Sequence, residues 1–494
     1  MEFPICIPFE NEWWTFTILL VLIFIFVWAS EIILKFNWLS PESNRRLMHI
    51  SIGLLITTSP LFFLNNIQPA CLALIFIIVN IFALQYDIFK GIHSQNRQTY
   101  GTIYFPIAYF ILSIGFWEYP ELIMISLLIL TLSDPFASIS GEYASKNNIF
   151  IIWKDQKSIQ GTLTFFFITF TLIYISAKYF YNYSTIYLLL LSGFTAIGST
   201  ISEITSSKGS DNLSIPITTF LFMLCFFEFI NPSQNIIHYD ILLNKSLILI
   251  LLSTLFYIAY RLESLNLSGF FGCLIMGIII AIMGSYRYLI PLSVFFILSS
   301  FLSKVLKNKS FYQNKGSKRD IIQVYANGGV SLCICVMDYL HNEPILFFLF
   351  LSSVAAAMSD TWGTEFGKLS KKKPISIVSF KPIQHGLSGG ITRIGTIGSF
   401  LGSSIIGLTS WLLIPIPSKI IYGIILSGFI AALFDSIIGA TIQGKYETKN
   451  GDLIEVKSDS ANLITGFKWI DNDIVNYMNT IIAPIIMYLF LHLI

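Results

Sequence analysis

Two aspartates with closely similar neighbours stand in the two halves of this chain. Asp134 ends an apolar run and is followed by Gly141, and Asp360 ends a later apolar run and is followed by Gly367. Residues seven positions apart share a face of a helix, so each aspartate shares its face with a glycine. A carboxylate beside small residues at a helix end can bind a cation or a polar ligand, and the sequence predicts such a site twice.

Further polar residues follow each aspartate in the same order. The shared set is a lysine, one or more glycines and a carboxylate in a later apolar run: Lys157, Gly161 and Glu203 in the first half, and Lys381, Gly389, Gly390 and Asp435 in the second. A common order of this kind indicates an internal repeat. We therefore expect two related helical bundles, in domains that cover residues 1–240 and 241–494.

The second half also carries a polar stripe. Arg319, Gln323 and Asn327 recur every four residues at the entrance to an apolar segment, and this spacing places them on one helix face. Polar side chains that face lipid are costly. The stripe is therefore expected to face a cavity.

Carboxylates, basic residues and glycine-rich turns together suit phosphate chemistry. Mg²⁺ prefers carboxylate oxygens, while cations and backbone N–H groups hold phosphate oxygens. Phosphoryl transfer needs little beyond this positioning. The sequence contains no P-loop, protein-kinase loop or dinucleotide fingerprint. The residues therefore predict magnesium-dependent phosphate chemistry outside the common soluble nucleotide-binding folds.

The composition is that of a membrane protein. Of the 494 residues, 54% are hydrophobic and 12% are charged, and the mean hydropathy is +0.72. This balance, with nearly charge-free runs along the whole chain, predicts an all-α polytopic membrane protein. The net charge of +2 favours no class of partner, and we expect no nucleic-acid partner. The six cysteines show no spacing typical of a disulfide framework or a zinc site.

Basic clusters separate the apolar segments into pairs. They lie at Arg45-Arg46, at 154–157, at 304–319 and at 368–381, and short loops rich in lysine and arginine prefer the cytoplasm. This pattern predicts about sixteen transmembrane helices in two related bundles, with both termini outside and the polar motifs at the cytoplasmic face.

The first half resembles the phytol and dolichol kinase family of membrane enzymes. The resemblance lies in Arg45-Arg46-Leu-Met-His49-Ile-Ser-Ile-Gly53, Arg97-Gln-Thr-Tyr-Gly-Thr-Ile-Tyr-Phe-Pro106, the Asp134 and Lys157 blocks, and Glu203 with Gly209-Ser-Asp-Asn-Leu-Ser-Ile-Pro216. These motifs cover about residues 40–220. The resemblance implies transfer of a phosphate from CTP to an isoprenoid alcohol.

The second half resembles the membrane family that includes phytyl-phosphate kinase. Its blocks are the glycine-rich, arginine-containing segment from Lys315 to Gly329, Ser359-Asp-Thr-Trp-Gly-Thr-Glu365-Phe-Gly367, His385-Gly-Leu-Ser-Gly-Gly390, Asp435-Ser-Ile-Ile-Gly-Ala440 and Asn472-Asp-Ile-Val-Asn476. The resemblance implies a second phosphorylation, which turns a prenyl monophosphate into the diphosphate. A chain with both halves is then expected to hold two sequential kinases.

Site residues follow from these resemblances together with the residue chemistry. In the first half we expect Asp134, Asp211 and Glu203 to serve Mg²⁺, with Lys157 as a catalytic cation and Arg97, Ser158, Gly161 and Asn212 on the nucleotide. In the second half we expect Asp360, Glu365 and Asp435 to serve Mg²⁺, with Lys381 as the catalytic cation and Arg319, Gln323, Asn327, Gly389, Gly390 and Arg393 on the nucleotide.

Two other functions remain open from the sequence. A transporter also combines repeated helical bundles with polar residues in its spans, and it would move a substrate without nucleotide hydrolysis. A cytidylyltransferase that makes a CDP-lipid would use carboxylates and magnesium in a similar way. It would release pyrophosphate, whereas a kinase using CTP releases CDP.

Overall fold

The structure is a computed structural model that describes residues 3–86, 99–228, 230–231, 236–237, 239–307, 318–448, 453–455 and 461–493. The chain forms two compact units, Met1–Leu242 and Leu243–Ile494. The assignment of one kinase type to each half remains a prediction.

The first unit is a helical bundle with small hairpins. Its helices are α1 (Glu12–Lys35), α2 (Pro41–Thr57), α3 (Ile67–Gln85), α4 (Gly101–Phe116), α5 (Pro120–Glu142), α6 (Ile159–Phe180), α7 (Thr185–Ile204) and α8 (Asp211–Phe227). The antiparallel strands β1 (Ile149–Ile151) and β2 (Gln156–Ser158) join α5 to α6, and β3 (Ile230–Asn231) pairs with β4 (Ile236–Ile237).

The second unit has the same kind of organisation. Its helices are α9 (Tyr239–Arg261), which begins just before the boundary, α10 (Leu267–Met283), α11 (Ser285–Lys307), α12 (Ile321–His341), α13 (Pro344–Gly367), α14 (Arg393–Leu413), α15 (Ser418–Thr441) and α16 (Asn472–Leu493). Strands β5 (Ile375–Ser376) and β6 (Gly390–Ile391) form a two-stranded sheet, and β7 (Lys445–Glu447) lies between β8 (Leu453–Ile454) and β9 (Asn462–Thr465).

The helices confirm the predicted fold class. In the described part of the chain there are sixteen α-helices, and twelve of them are long and apolar enough to cross a membrane. Helices α4, α8 and α10 are apolar but shorter. Helices suit this setting because they satisfy their backbone hydrogen bonds internally. The protein is therefore an all-α multi-pass membrane protein.

Small and hydroxyl side chains bring the helices close together. In the first unit Thr169 of α6 donates to Ser133 of α5 at 3.0 Å, and a Cβ added to Gly161 would lie 3.0 Å from the carbonyl oxygen of Ala137. In the second unit a Cβ on Gly402 of α14 would lie 2.7 Å from the carbonyl oxygen of Met358 of α13. Close approach through small residues is the usual mode of helix packing in membranes.

One central helix in each unit carries the aspartate. Helix α5 packs against α2, α6 and α8, and α13 packs against α11, α12, α14, α15 and α16. Asp134 and Asp360 lie near the C-terminal ends of these central helices. Each aspartate is therefore surrounded by several other helices.

Candidate active sites

The first candidate site begins with the cap of α6. The Ser158 hydroxyl accepts a hydrogen bond from the Gly161 N–H at 3.1 Å, which satisfies a free N–H in the first turn of the helix. Ser158 and Gly161 thus fix the junction between β2 and α6. Lys157 precedes the cap and pairs with Phe150 in the hairpin, so the hairpin and the cap together set the position of its side chain.

Lys157 forms an ion pair with Glu203 of α7. The two side chains are only 15% and 8% exposed. The second oxygen of Glu203, Oε2, is buried and has no hydrogen-bond partner among the described residues. Burial lowers the pKa of Lys157, but Glu203, Asp211 and Asp134 together outweigh this effect and hold its pKa above the ordinary value. Lys157 is therefore a stable cation next to three carboxylates.

Asp134 lies in the same electrostatic cluster. Its carboxylate interacts with Asp211, Lys157, Glu203 and Arg45. The charged groups of this cluster thus come from separate parts of the sequence: α2, α5, β2, α7 and the first residue of α8. The structure brings together the predicted residues of the first half on these elements.

Asn212 joins this cluster to the start of α4. Its side-chain amide donates to the Gly209 carbonyl oxygen at 3.2 Å and to Asp211 Oδ1 at 3.0 Å. Gly209 has a φ of +87°, a left-handed conformation that favours glycine, and a Cβ on Gly101 would lie 2.7 Å from the Asn212 amide nitrogen. The α8 N-terminus is therefore held tightly against α4. The predicted phosphate ligand Arg97 lies outside the described residues.

A cavity of about 150 Å³ opens beside Asp134. At one end it is lined by polar residues, among them Arg45, Thr102, Asp134, Ser138 and Asn212. The rest of its wall is mostly apolar and comes from α1, α2, α3 and α4: Ile23, Val27, Met48, Ile52, Ile56, Leu72, Ala73, Phe76, Phe105 and Tyr109. The cavity is thus amphipathic, with its charged groups at the end where Asp134 lies.

The length of the cavity follows from the helices that line it. Its lining on α2 runs from Arg45 to Ile56 and on α4 from Gly101 to Tyr109. At 1.5 Å of rise per residue these stretches cover about 16 Å and about 12 Å. A ligand with one polar end and a long apolar tail matches this shape.

Two arginines of α2 border the cavity and were absent from the predicted site residues. Arg46 forms an ion pair with Glu142 and donates to the Ser138 hydroxyl at 3.0 Å. Arg45 interacts electrostatically with Asp134, and its Nε atom is buried without a hydrogen-bond partner among the described residues. From the sequence, Arg45 and Arg46 were used only to predict the cytoplasmic side of the membrane and as part of a family motif. Their position in the first turns of an amphipathic helix is the signal that could have identified Arg45.

In the second unit the structure brings together Asp360 of α13 and Asp435 of α15. Asp435 interacts electrostatically with Asp360 and with Glu455, and its Oδ2 atom is buried without a partner in the described part of the chain. Glu455 follows β8. Two of the three predicted carboxylates therefore interact with each other, and Glu455, which sequence reasoning missed, interacts with Asp435.

The third predicted carboxylate, Glu365, has other partners. It pairs with Lys368 at 2.9 Å and accepts a hydrogen bond from Ser303 of α11 at 3.0 Å. It also interacts electrostatically with Arg319, whose guanidinium lies 6.0 Å from the centre of the Phe295 ring. Burial lowers the pKa of Arg319. Glu365 and Arg319 thus form their own charged group, which the described contacts do not join to Asp435.

The polar stripe of α12 runs beside the central helix. Asn327 donates to the Gln323 carbonyl oxygen at 2.8 Å. One turn further along, Ser331 donates to Ser353 of α13 at 3.1 Å. Because α12 and α13 are consecutive helices that run in opposite directions, this contact places Gln323 and Asn327 at the level of Asp360. Gln323 and Asn327 are half-buried on α12. The predicted stripe is wrong for Arg319, which precedes the helix, because its backbone is hydrogen-bonded to Ser264 and Asn266 instead.

Glu455 holds the glycine loop that precedes α14. Its carboxylate accepts hydrogen bonds from the Ser388 N–H, from the Ser388 hydroxyl at 2.9 Å and from the Gln443 amide at 3.1 Å. Gly389 has a φ of +86° and lies so close to α15 that an added Cβ would be 2.5 Å from the Ala440 Cβ. Gly390 pairs with Ser376 in the β5–β6 sheet.

The other two basic residues predicted for the second site, Lys381 and Arg393, are on the surface. The side chains of Lys381 and Arg393 are exposed, and Arg393 is the first residue of α14. Within the residues described, no contact joins either side chain to Asp360 or Asp435. The roles predicted for Lys381 and Arg393 remain predictions.

Comparison with known proteins places the chain in a membrane family. The sequence profile described as "Integral membrane protein DUF92" matches residues 250–484. The uncharacterized membrane protein MJ0933 of Methanocaldococcus jannaschii is 35% identical over 182 residues, which are 37% of this chain and 76% of that protein. The chain belongs to the DUF92 family of integral membrane proteins.

Two further relatives of this DUF92 protein carry names of their own. The protein named phytol kinase of Synechocystis sp. is 23% identical over 193 residues, 39% of this chain and 82% of that protein. The chloroplastic protein VTE6 of Arabidopsis thaliana is 27% identical over 219 residues, 42% of this chain and 59% of that protein. No solved structure matches the chain.

Both clusters of this DUF92 protein fit a magnesium–nucleotide complex. Among the described residues, no group of three or more His, Cys, Asp and Glu side chains converges into a ready metal site. Mg²⁺ bound with a nucleotide usually takes one or two carboxylates, and phosphate oxygens and water complete its coordination. Asp134 with Asp211, and Asp360 with Asp435, meet this requirement, and the unpartnered Asp435 Oδ2 supplies a buried acceptor.

Proposed function

We propose that this protein is a bifunctional isoprenoid kinase. The first unit phosphorylates phytol or a similar prenyl alcohol, and the second unit phosphorylates the resulting monophosphate to the diphosphate. The observation that carries the proposal is the amphipathic cavity of the first unit, which ends at Asp134 and its charged neighbours. The name of the phytol kinase relative supports the same substrate class.

In the first unit the alcohol lies with its apolar tail between α1, α2, α3 and α4. Its hydroxyl then lies at the polar end of the cavity, beside Asp134. Lys157, Arg45 and the predicted Arg97 hold the negative phosphate oxygens, and Asp134, Asp211, Asn212 and Glu203 are the proposed ligands of Mg²⁺ and the nucleotide. Bound Mg²⁺ neutralises charge that develops on the transferred phosphate.

The second unit acts on an acceptor that is already an anion. Two anions repel each other, so this site needs cations beside its carboxylates. Arg319, which interacts electrostatically with Glu365, supplies a half-buried one, and Lys381 and Arg393 supply exposed ones. The α12 stripe adds the polar groups of Gln323 and Asn327 at the level of Asp360, where they line the proposed pocket.

The proposed donor is CTP, and the proposed active sites face the cytoplasm. Short basic loops favour the cytoplasmic side, and the clusters of Asp134 and Asp360 lie at the helix ends next to such loops. A site at a helix end is open to a soluble nucleotide, while a lipid reaches it from the bilayer.

We also propose that the two units arose by internal duplication. In both units a central helix with an aspartate is followed by a small antiparallel sheet and then by a helix that begins with a hydroxyl cap. Ser158 caps α6 through the Gly161 N–H, and Thr392 caps α14 through the Gly395 N–H at 3.0 Å. Both glycines lie against the glycine that follows the aspartate, Gly141 in the first unit and Gly367 in the second.

The test uses the purified full-length protein with CTP, Mg²⁺ and a panel of isoprenoid alcohols. Mass spectrometry of the lipids is expected to show the monophosphate and then the diphosphate, with CDP as the released nucleotide. Release of pyrophosphate with a CDP-lipid product would favour the cytidylyltransferase. A protein that makes no phosphorylated lipid but carries an isoprenoid or another solute across vesicle membranes would be a transporter, and the proposal would fail.

A further inference from the structure

The end of the first unit's cavity away from Asp134 is lined by four buried side chains. The lining residues farthest from Asp134 on their helices are Ile23 of α1, Ile56 of α2, Leu72 of α3 and Tyr109 of α4. All four are at most 4% exposed. Tyr109 differs from the other three because it carries a polar group at this depth.

A hydrogen bond fixes the Tyr109 ring in place. Its hydroxyl donates to the Ser59 hydroxyl at 2.6 Å, and both residues are fully buried. Ser59 begins the short 3-10 turn Ser59–Leu61 that follows α2. A buried tyrosine hydroxyl needs such a partner, so the ring is anchored to the turn that follows α2.

We propose that Tyr109 sets the maximum length of the isoprenoid chain that the first unit accepts. The inference rests on the proposed function, because it takes the ligand to be a prenyl alcohol. With the hydroxyl of the ligand at Asp134, the far end of its tail meets the anchored ring of Tyr109. A longer alcohol must displace this ring and break its bond to Ser59, whereas a shorter one leaves apolar space unfilled.

The experiment compares three full-length variants with the wild type. Tyr109→Ala removes the ring and extends the cavity. Tyr109→Phe keeps the ring and removes the hydrogen bond to Ser59. Phe220→Ala is the matched control, since Phe220 is a fully buried aromatic residue of α8 that does not line the cavity. Gel filtration and thermal unfolding in detergent verify that each variant is folded, and Tyr109→Leu replaces Tyr109→Ala if the latter does not fold.

The first readout is kcat/KM for a series of all-trans prenyl alcohols that differ by one isoprene unit. Tyr109→Ala is expected to raise the ratio of the next longer alcohol to the best wild-type substrate by about tenfold or more, since methylene groups in an apolar pocket discriminate at about this level. Tyr109→Phe is expected to give a smaller shift in the same direction. Phe220→Ala is expected to leave the ratio unchanged.

The second readout is independent of catalysis. Each alcohol is added to the protein, and the rise in the midpoint of thermal unfolding reports binding. If the wild type binds the alcohols with a length limit that Tyr109→Ala relaxes, the proposed role of Tyr109 is supported even when no phosphorylation is seen. In that case only the proposed function fails. If Tyr109→Ala and Phe220→Ala show the same length profile in both readouts, or if no alcohol binds, the role of Tyr109 is overturned.

Discussion

The buried ion pair between Lys157 and Glu203 makes the sharpest prediction about the first unit. Replacing Lys157 with methionine removes the cation but keeps an apolar side chain of similar length. Glu203 then remains in the interior, where its Oε2 atom already has no partner among the described residues. We expect the Lys157→Met variant to be clearly destabilised.

The size of the effect follows from the burial of the pair. Both side chains are well below one third exposed, at 15% and 8%, so the values for buried pairs apply. Removal of one partner of such a pair costs about 3–5 kcal/mol, because an uncompensated charge stays in the interior. A typical free energy of unfolding is about 5–15 kcal/mol. The variant therefore loses a large part of its stability.

A double variant and an exposed pair provide the controls. Lys157→Met combined with Glu203→Gln removes both charges of the pair, and it is expected to recover part of the stability, since loss of a whole buried pair is often close to neutral while Asp134 and Asp211 still lack the cation. Lys318 and Glu263 form a 2.8 Å pair with side chains that are 49% and 64% exposed. Lys318→Met is expected to cost at most about 1 kcal/mol.

The measurement is thermal or denaturant unfolding of the detergent-solubilised protein, together with alcohol phosphorylation. The double variant is expected to be folded but inactive on alcohols, because the proposed phosphate contact is lost while the structure is kept. The reasoning is refuted if Lys157→Met is no more destabilising than Lys318→Met, or if the double variant is as unstable as the single one.

The pH dependence of this effect has a definite sign. The pKa of Lys157 in the folded protein lies above its ordinary value of 10.5. A lysine with a raised pKa contributes stability that is fully present below the ordinary pKa and is lost as the pH rises through the raised one. The stability difference between wild type and Lys157→Met is therefore expected to stay constant from neutral pH up to about 9.5 and to shrink only at more alkaline pH. A difference that already shrinks near pH 8 would contradict this assignment.

The remaining predictions concern the two proposed sites and the packing of α14. Asp134→Asn should abolish alcohol phosphorylation and leave monophosphate phosphorylation intact, whereas Asp360→Asn should make the protein accumulate prenyl monophosphate. If Asp360→Asn forms diphosphate at the normal rate, the proposal of two separate sites is refuted. Glu455→Ala should lower diphosphate formation by about tenfold or more, because the Ser388 N–H and hydroxyl lose their acceptor, with alcohol phosphorylation as the unaffected control. Gly402→Ala should destabilise by about 1–3 kcal/mol, as its Cβ meets the α13 backbone, while Gly115→Ala, with open space around it, should not destabilise in the same unfolding assay.

The helices, and the helices and loops that carry the charged groups, could be predicted from the sequence alone. Long apolar runs have few alternatives in a bilayer, since only helices and closed barrels satisfy the backbone there. The position of Asp134 near the end of its helix, and the recurrence of a carboxylate on a later helix, were visible for the same reason. The structure then brought Lys157, Glu203 and Asp211 around Asp134.

The cavity could not be predicted from the sequence. Its wall comes from four helices whose apolar residues look alike, because residues that face lipid and residues that face a cavity are equally hydrophobic. Arg45 was visible only as part of a basic cluster, and its position beside Asp134 depends on how α2 packs against α5. Tyr109 was one aromatic residue among many, and only its bond to Ser59 sets it apart.

The loop before α14 shows why residues of the same type, in the same order along the two halves, can occupy different places in the two units. By order along the chain, Lys381 is the counterpart of Lys157. In the structure the equivalent cap is Thr392 with Gly395, well beyond Lys381, because the connection between the aspartate helix and the capped helix is longer in the second unit. The path of this longer loop is set by Ser388, which is bonded to Glu455, a residue far along the chain. Since Glu455 also interacts with Asp435, the same carboxylate links the glycine loop to the proposed metal ligands. The cation of the second site therefore need not occupy the place of Lys157, and the half-buried Arg319, which lies just before α12, takes that role in our proposal.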